Sequence, residues 1–304
     1  MVGGGMIWVV GSKGMLGTEL CRQLAAAGLD FVGTDREVDI LDAGALAAFA
    51  AGPSFAGRSI GWIVNCAAYT AVDRAEDEAE LCGRLNVEGP ANLARLATSL
   101  GASMLHISTD YVFDGEASRP YREDDPIGPT GVYGRTKAEG EAAVRAACAR
   151  SVILRTAWLY GRDGPNFVYT MLRLMRQKES IGVVMDQRGT PTWAPDLAAG
   201  IVAILGAGEP RFGVYHYTDG GETNWRDFAL EIKRLGLERG ILEKDCRVEA
   251  LTTAQYPTKA RRPAYSVLSK DKIVADYGVS VPEWRESLKA FIVSLGEAER
   301  PRFS

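Results

Sequence analysis

The sequence predicts an α/β protein: a doubly wound parallel sheet followed by a smaller C-terminal lobe. Short apolar segments alternate with helical patterns from Met6 to about Thr156, as in parallel sheets whose strands are joined by helices. The first apolar segment enters a glycine-rich turn, and the alternation becomes irregular after Gly161. We therefore expect residues 1–160 to form the larger domain, with segments near 190–222 returning to it, and residues 161–304 to form most of the lobe.

Composition excludes several classes of protein. The chain has 304 residues, a net charge of −4 and 24% charged residues, which does not favour nucleic-acid binding. No stretch of about 18 uncharged apolar residues is present, so we expect no membrane association and a cytoplasmic location. Five cysteines without a CxxC pair indicate reduced thiols. The two histidines, His106 and His216, cannot form a three-histidine metal site and are interpreted as core residues or as residues just behind a functional site.

The first strand and the turn after it have the pattern of a Rossmann dinucleotide site. Met6 to Val10 is apolar, and glycines then recur with GxxGxxG spacing before a helical pattern that continues to Gly28. Glycines allow a tight turn and a close approach of backbone to a pyrophosphate, whose charge meets the amides at the helix start. The predicted contacts are Gly11, Lys13, Gly14, Met15, Leu16 and Gly17.

The second strand, Asp30 to Thr34, ends at Asp35. An acid there commonly accepts hydrogen bonds from the adenosine ribose. Arg36 and Lys13 could instead neutralise a 2′-phosphate, so both NADH and NADPH remain open. Asp39 and Ile40 are expected to flank the adenine, before a helix over Ala43 to Ala51.

Two further strands are expected to deliver side chains to the same edge of the sheet, where ligands of such sheets bind. Gly61 to Cys66 is followed by small residues, which let a flat ligand lie close; Cys66, Ala67, Ala68 and Tyr69 are the predicted contacts. Helices over Glu76 to Leu85 and Gly89 to Leu100, with Asn86 between them, precede the strand Met104 to Ser108.

Tyr133 and Lys137 start a helical pattern that runs to Ala149. Residues four apart on a helix share a face. A cation beside a phenol favours the phenolate and lowers its pKa. Such a tyrosine can give a proton to a carbonyl oxygen or take one from an alcohol.

The remaining elements are predicted from apolar periodicity. Ser151 to Thr156 is a strand, and a Gly/Pro/Thr loop covers Asp186 to Pro195. The other expected strands are Ile181 to Met185, Gly213 to Tyr217 and Val248 to Thr252. The expected helices are Asn166 to Gln177, Asp196 to Leu205, Thr223 to Leu237, Lys270 to Tyr277 and Pro282 to Leu295.

Six motifs, in order, resemble the extended short-chain dehydrogenase/reductase family. They are the glycine turn, Asn65 to Glu76, Ser108 to Gly115, Tyr133 to Lys137, Asp186 to Thr192, and Arg262-Pro263 followed by Ser266 and Leu268. Within the family the set is similar to reductases of nucleotide-linked deoxysugars. The resemblance implies reduction, with NADPH or NADH, of the 4-keto group of a dTDP-sugar, dTDP-4-dehydrorhamnose, to dTDP-L-rhamnose.

The same resemblance implies a role for each matching residue. Tyr133 is the expected proton donor to the 4-keto oxygen. Lys137 holds the nicotinamide ribose and depresses the tyrosine pKa, and Thr109 orients and polarises the carbonyl. Arg262, near Gln187 and Thr190, is the expected diphosphate clamp. The expected substrate contacts are Asp110, Tyr111, Trp158, Asn166, Gln187, Thr190 and Arg262.

Some family members dimerise through a magnesium ion, so a homodimer is also expected, with Mg²⁺ as an open question. Glu19 occupies one matching place, but Asp196 stands where glutamate is usual and the C-terminal acid, Glu297, aligns poorly.

Two alternatives stay open. One is another nucleotide-sugar epimerase or dehydratase, although a dehydratase would have an acid pair after Thr109, where this chain has Asp110 and Tyr111. The other is a non-catalytic regulatory subunit resembling the β subunit of methionine adenosyltransferase.

Overall fold

The fold is described from a computed structural model that covers residues 5–295. A six-stranded parallel sheet forms its centre, in the order β2-β1-β3-β4-β5-β10. The strands are β1 (Met6–Val10), β2 (Phe31–Thr34), β3 (Ile60–Asn65), β4 (Ser103–Thr109), β5 (Ser151–Thr156), β6 (Leu159–Tyr160), β7 (Ser180–Val184), β8 (Arg188–Gly189), β9 (Thr192–Trp193), β10 (Gly213–His216), β11 (Thr223–Asn224) and β12 (Arg247–Leu251).

Helices cover both faces of this sheet, as the alternating pattern predicts. They are α1 (Met15–Ala26), α2 (Ala43–Ala50), α3 (Val72–Ala75), α4 (Ala79–Gly83), α5 (Gly89–Ser99), α6 (Val132–Ala147), α7 (Phe167–Gln177), α8 (Ala194–Gly206), α9 (Trp225–Glu238), α10 (Asp271–Tyr277) and α11 (Trp284–Ser294). The predicted parallel α/β architecture is confirmed.

Alternate residues of each strand enter two separate cores, because successive side chains of a strand point to opposite faces. On one face Ile7 and Val9 pack with the apolar residues of α1 and α8. On the other face Trp8 and Val10 pack with α2, α5 and α6. The sheet is therefore buried on both sides, which is why its strands are continuously apolar.

The smaller lobe has its own core. Apolar residues of α7, α9 and α11 pack around the two-stranded parallel sheet of β7 and β12. The chain leaves the main sheet after β5, forms part of this lobe, and returns at β10, which pairs with β5. The lobe therefore contains segments from both sides of β10.

The helix predicted over Glu76 to Leu85 is wrong in detail. The structure has the short helices α3 and α4, then a π-helical turn over Arg84–Glu88 that continues directly into α5. Asn86 is therefore not a break. Its buried side chain bonds the backbone of Tyr69 and the hydroxyl of Thr136, and these contacts hold the wider turn in place.

The short strands β6, β8, β9 and β11 have two residues each, too few for a periodic pattern in the sequence. β8 and β9 lie within Asp186 to Pro195, so the prediction of that segment as a loop is wrong in part. In residues 5–295, no helix combines the length and apolar character that crossing a bilayer would need.

Candidate active site

Two glycines bring backbone segments together at the start of the cleft. Gly11 has φ +79°, and a Cβ there would lie 2.7 Å from the amide nitrogen of Ala67. A Cβ on Gly17 would lie 2.1 Å from the carbonyl oxygen of Gly11. A side chain at Gly11 would push the turn away from the segment after β3, and one at Gly17 would push α1 away from the turn. The result is an open backbone cradle at the N-terminus of α1, which fits a dinucleotide pyrophosphate.

A cleft of about 890 Å³ extends from this cradle along the C-terminal ends of the strands. Most of the predicted residues lie on its wall. At the cradle end these are Gly11, Gly14, Met15, Leu16, Gly17, Asp35, Arg36, Asp39, Ile40, Cys66, Ala67 and Ala68. At the other end they are Thr109, Asp110, Tyr111, Tyr133, Lys137 and Trp158.

Lys13 and Tyr69 lie off this wall. The Lys13 ammonium is 3.0 Å from the carboxylate of Glu37, and its backbone amide donates to Asp35 at 3.2 Å. The Tyr69 hydroxyl donates to Glu78 at 2.7 Å. Tyr69 therefore contacts the segment between α3 and α4, outside the cleft wall.

Tyr133 reaches the cleft from the first turn of α6 and lies on the cleft wall with Thr109. The single Thr109 hydroxyl proton goes to Asp110, at 2.9 Å, so in this state Thr109 does not have a proton free to polarise a carbonyl. Burial raises the pKa of Asp110 to about 6. Burial also raises the pKa of Tyr133, whereas the nearby Thr109 hydroxyl acts in the opposite direction. The expected depression of the Tyr133 pKa is therefore wrong for the protein alone, because burial outweighs it.

Lys137, one turn further along α6, is 2% exposed. Its ammonium donates to the carbonyl oxygen of Ile107 at 2.6 Å and lies 3.4 Å from Nε2 of His106. Burial lowers the pKa of Lys137 to about 8, although the charge of Glu141 acts in the opposite direction. The Lys137 ammonium therefore lies at the buried floor of the cleft and loses its proton at a lower pH than an exposed lysine does.

Trp158 has a left-handed backbone, with φ +46°, which is unusual for a non-glycine residue. Its indole stacks on Trp225, with ring centroids 3.6 Å apart, and Gly189 approaches it so closely that a Cβ there would lie 2.6 Å from Cε2. The strained backbone positions this tryptophan at the border between sheet and lobe.

Asn166, Gln187 and Thr190 lie outside the cleft wall. Asn166 caps α7, accepting from the amide of Tyr169 at 3.1 Å. Gln187 donates to Thr253 at 3.0 Å, and the fully buried Thr190 donates to the carbonyl of Gly221 at 2.8 Å. These bonds give the three side chains structural roles, and the geometry does not support substrate contacts for them.

Arg262 bridges the two lobes. Its guanidinium donates to the hydroxyl of Tyr111 at 2.8 Å and to the carboxylate of Asp73 at 2.6 Å. Lys259 and Asp77 form a second ion pair at 2.5 Å. The segment 259–262 therefore crosses from the lobe to the helix α3 region beside the cleft.

The residues considered for magnesium are not assembled in the described chain. Glu19 pairs with Arg22 at 3.0 Å, and Asp196 accepts from Ser287 at 2.6 Å. Glu297 lies outside the described residues. Within residues 5–295, no group of three His, Cys, Asp or Glu side chains is arranged to hold a metal ion.

Buried polar residues under the cleft were missed from the sequence. Glu141 forms a bidentate pair with Arg155, at 2.9 and 2.7 Å, and accepts from Ser108. Asn65 bonds His106 at 3.0 Å. Each contact joins residues at least 14 positions apart, and the available signal was only the occurrence of polar residues inside apolar strands and on α6.

The chain is similar to known proteins over nearly its whole length. Residues 5–296 match the family model described as the RmlD substrate binding domain. A dTDP-4-dehydrorhamnose reductase of Aggregatibacter actinomycetemcomitans is 40% identical over 92% of this chain and 96% of its own length.

A second relative, from Streptomyces antibioticus, is 42% identical over 97% of this chain and 98% of its own length. It is named a probable dTDP-4,6-dihydroxy-2-methyloxan-3-one 4-ketoreductase. Among solved structures, the dTDP-4-dehydrorhamnose reductase of Bacillus anthracis in complex with NADP is 31% identical, with a TM-score of 0.87 over 96% of this chain and 100% of that one.

Proposed function

The chain belongs to the RmlD substrate-binding-domain family, and on that premise we propose that it is an NAD(P)H-dependent dTDP-4-dehydrorhamnose reductase. It reduces the 4-keto group of dTDP-4-dehydrorhamnose to give dTDP-L-rhamnose. The observation that carries the proposal is the placement of Tyr133 and Lys137 on one face of α6, in the cleft that starts at the glycine cradle.

A bound nicotinamide cofactor supplies the hydride for this reaction. The cradle of Gly11, Gly14 and Gly17 binds its pyrophosphate. Asp35 and Arg36, at the same end of the cleft, contact its adenosine ribose. Lys137 binds the nicotinamide ribose. These assignments give each end of the cleft a separate part of the cofactor.

Tyr133 donates a proton to the 4-keto oxygen as negative charge develops there. Its high pKa keeps the phenol protonated at neutral pH, which suits the reductive direction. In this structure the Thr109 hydroxyl donates its own proton to a hydrogen bond with Asp110 and lies beside Tyr133 on the cleft wall. On substrate binding, rotation of either hydroxyl frees a donor for the ketone.

Tyr111, Trp158 and Arg262 are the proposed sugar-nucleotide contacts. Arg262 is held by Asp73 in this structure, and a substrate diphosphate would take the place of that carboxylate as the partner of the guanidinium. Asp110 is the proposed neighbour of the sugar ring, and its hydrogen bond with Thr109 holds it in place. The predicted homodimer, the predicted cytoplasmic location and the predicted absence of nucleic-acid and membrane partners remain predictions.

The test is oxidation of NADPH and NADH by the purified protein with dTDP-4-dehydrorhamnose, with the product identified by NMR. We expect turnover to dTDP-L-rhamnose. A protein that binds cofactor and gives no turnover would overturn the proposal and favour the regulatory-subunit alternative.

The Streptomyces antibioticus relative favours a second candidate, a 4-ketoreductase of a different dTDP-linked sugar. The same assay with dTDP-4,6-dihydroxy-2-methyloxan-3-one decides between them. A higher kcat/KM for that ketone would move the assignment to the second substrate.

A further inference from the structure

A chain of buried polar groups lies under Lys137. His106, in β4, is 0% exposed; its Nε2 lies 3.4 Å from Nζ of Lys137 and its Nδ1 lies 3.0 Å from Nδ2 of Asn65. Asn65, at the end of β3, is also 0% exposed. The proposed reaction uses Lys137 but gives Asn65 and His106 no task.

The orientation of the Asn65 amide follows from its other contact. Its Oδ1 accepts from the backbone amide of Ala67 at 3.0 Å, so the group facing His106 is the amide NH₂. That group only donates, and Nδ1 of His106 must therefore accept. Burial and the charge of Lys137 hold the pKa of His106 well below its usual range, so the ring is neutral and carries its one proton on Nε2.

This tautomer presents an N–H to Lys137. An ammonium has three donors and no acceptor, so His106 cannot accept a bond from it. Within residues 5–295, the carbonyl of Ile107 is then the one group that accepts from Nζ. The other two N–H donors of the Lys137 ammonium are therefore available to a ligand in the cleft. In the neutral form, the lone pair of the Lys137 amine can accept a hydrogen bond from Nε2–H of His106.

We propose that Asn65 and His106 are positioning residues that set the direction and protonation of Lys137 by holding an N–H, and not a lone pair, against its amino group. This inference rests on the proposed function for the role of Lys137, whereas the tautomer itself follows from the bonds alone. The other titratable groups acting on Lys137 are Glu141 and the thiols of Cys66 and Cys82.

The second histidine provides an internal comparison. Nε2 of His216 lies 3.4 Å from a guanidinium nitrogen of Arg155, and a guanidinium only donates. The buried Nδ1 of His216 has no hydrogen-bond partner among the described residues, so no second contact fixes its tautomer as Asn65 fixes that of His106.

Nitrogen-15 NMR of the histidine rings in the cofactor-free protein tests the tautomers directly. His106→Gln assigns the two spectra. We expect a ring protonated on Nε2 whose signals disappear in His106→Gln. A His106 protonated on Nδ1, or positively charged at pH 7, would overturn the proposal whether or not the protein is a reductase.

Asn65→Asp tests the effect on Lys137. The carboxylate keeps the bond from Ala67 but accepts from Nδ1 of His106, so Nε2 becomes an acceptor for the ammonium. Lysine carbon-13 NMR, assigned with Lys137→Arg, follows the titration. We expect the pH at which Lys137 titrates to rise by about one unit, which is a tenfold change in proton affinity. The limb of the pH profile of kcat/KM that follows Lys137 should shift by the same amount.

His106→Gln is the second variant, because its side-chain carbonyl can turn toward Nζ and act in the same direction. An unchanged Lys137 titration in folded Asn65→Asp and His106→Gln would contradict the positioning role. A shifted titration in a protein without reductase activity would keep the positioning role and remove only the proposed reaction.

Discussion

The Tyr133 hydroxyl is the group whose removal separates proton transfer from binding. Tyr133→Phe keeps the ring that packs edge to face with Tyr111, 5.5 Å between centroids, and removes the proposed proton donor. We expect kcat to fall about 10²- to 10⁴-fold, the usual contribution of a positioned general acid.

Cofactor affinity, measured by quenching of protein fluorescence, should stay unchanged in this variant. If Tyr133→Phe keeps more than about a tenth of the wild-type kcat, another group donates the proton, since such a small loss lies well below the range expected of a general acid.

We expect single side chains to decide the discrimination between NADH and NADPH as well. The Glu37 carboxylate lies 3.0 Å from the Lys13 ammonium and accepts a hydrogen bond from the amide of Asp35. It therefore places a negative charge beside the expected position of the ribose 2′-phosphate. It also pairs with Lys13, which together with Arg36 is one of the two cations that could bind that phosphate. We expect Glu37→Gln to tighten NADPH binding about three- to tenfold, as removal of one exposed charge contact does.

NADH affinity is the matched control for Glu37→Gln and should not change. Arg36→Ala should act in the opposite direction, weakening NADPH alone, because Arg36 lines the cleft. Equal effects on the two cofactors would show that neither residue reads the 2′-phosphate. Fluorescence titration at low and high salt gives both affinities.

At the scale of elements, the π-helical turn determines how closely α6 packs. A Cβ on Gly140 of α6 would lie 2.1 Å from the carbonyl oxygen of Asn86. We expect Gly140→Ala to destabilise the protein by about 1–3 kcal/mol, because backbone must move and the loss exceeds the gain in helix propensity. Urea unfolding measures it.

Gly83→Ala is the control for this prediction. Gly83 ends α4, in helical conformation, and a Cβ there would meet no atom within 4 Å. Alanine should stabilise the protein there by up to about 1 kcal/mol. If both variants change stability alike, the contact between Gly140 and Asn86 does not constrain α6.

The elements that could be predicted from the sequence are those with long local signals. The strands of the main sheet are apolar because both of their faces are buried, and α1 and α6 follow glycine and tyrosine motifs. The π-helical turn could not be predicted, because it depends on bonds from Asn86 to Tyr69 and Thr136, residues 17 and 50 positions away.

The candidate site likewise has features that the sequence predicts and features that depend on the folded structure. The glycine cradle and the pair of Tyr133 and Lys137 have fixed spacing along the chain, and they lie together on the cleft wall. The direction of the Tyr133 pKa shift could not be predicted, since it depends on how deeply the folded cleft buries the phenol. The partners of Asn166 and Thr190 likewise depend on the packing of the lobe.

At the scale of the molecule, buried carboxyl groups join the sheet to the lobe. Asp219, just after β10, is 0% exposed and accepts from the amide of Trp193 at 3.0 Å. Asp196 of α8 lies beside it and accepts from Ser287 of α11. Burial, with the charge of Asp196, raises the pKa of Asp219 to about 8, whereas Lys270 acts weakly in the other direction.

A raised pKa means that the folded protein keeps a proton that the unfolded chain, with a pKa near 3.9, has already released. The stability from protonated Asp219 is therefore complete below about pH 4 and is lost as the pH rises to about 8. The side-chain amide introduced by Asp219→Asn resembles the protonated acid at every pH. We expect the melting temperature of this variant to exceed that of wild type at pH 8, with the difference shrinking toward pH 4.

Asp245→Asn, at an exposed pair with Lys233, should show no comparable pH dependence, since exposed pairs contribute little. Calorimetry of the three proteins at several pH values measures the differences. A constant difference between Asp219→Asn and wild type from pH 4 to pH 8 would mean that Asp219 is ionised in the folded protein.

The late return of the chain to β10 affects how the protein is synthesised. β5 is made with Val152, Ile153 and Leu154 buried in the final fold, but its outer edge is closed only by β10, roughly 60 residues later. At roughly 5–20 residues per second, a ribosome leaves that edge unpaired for about 3–12 s. Such an edge can pair with another nascent chain. Ribosome-associated chaperones are therefore expected to raise the yield of this protein through this interval of translation.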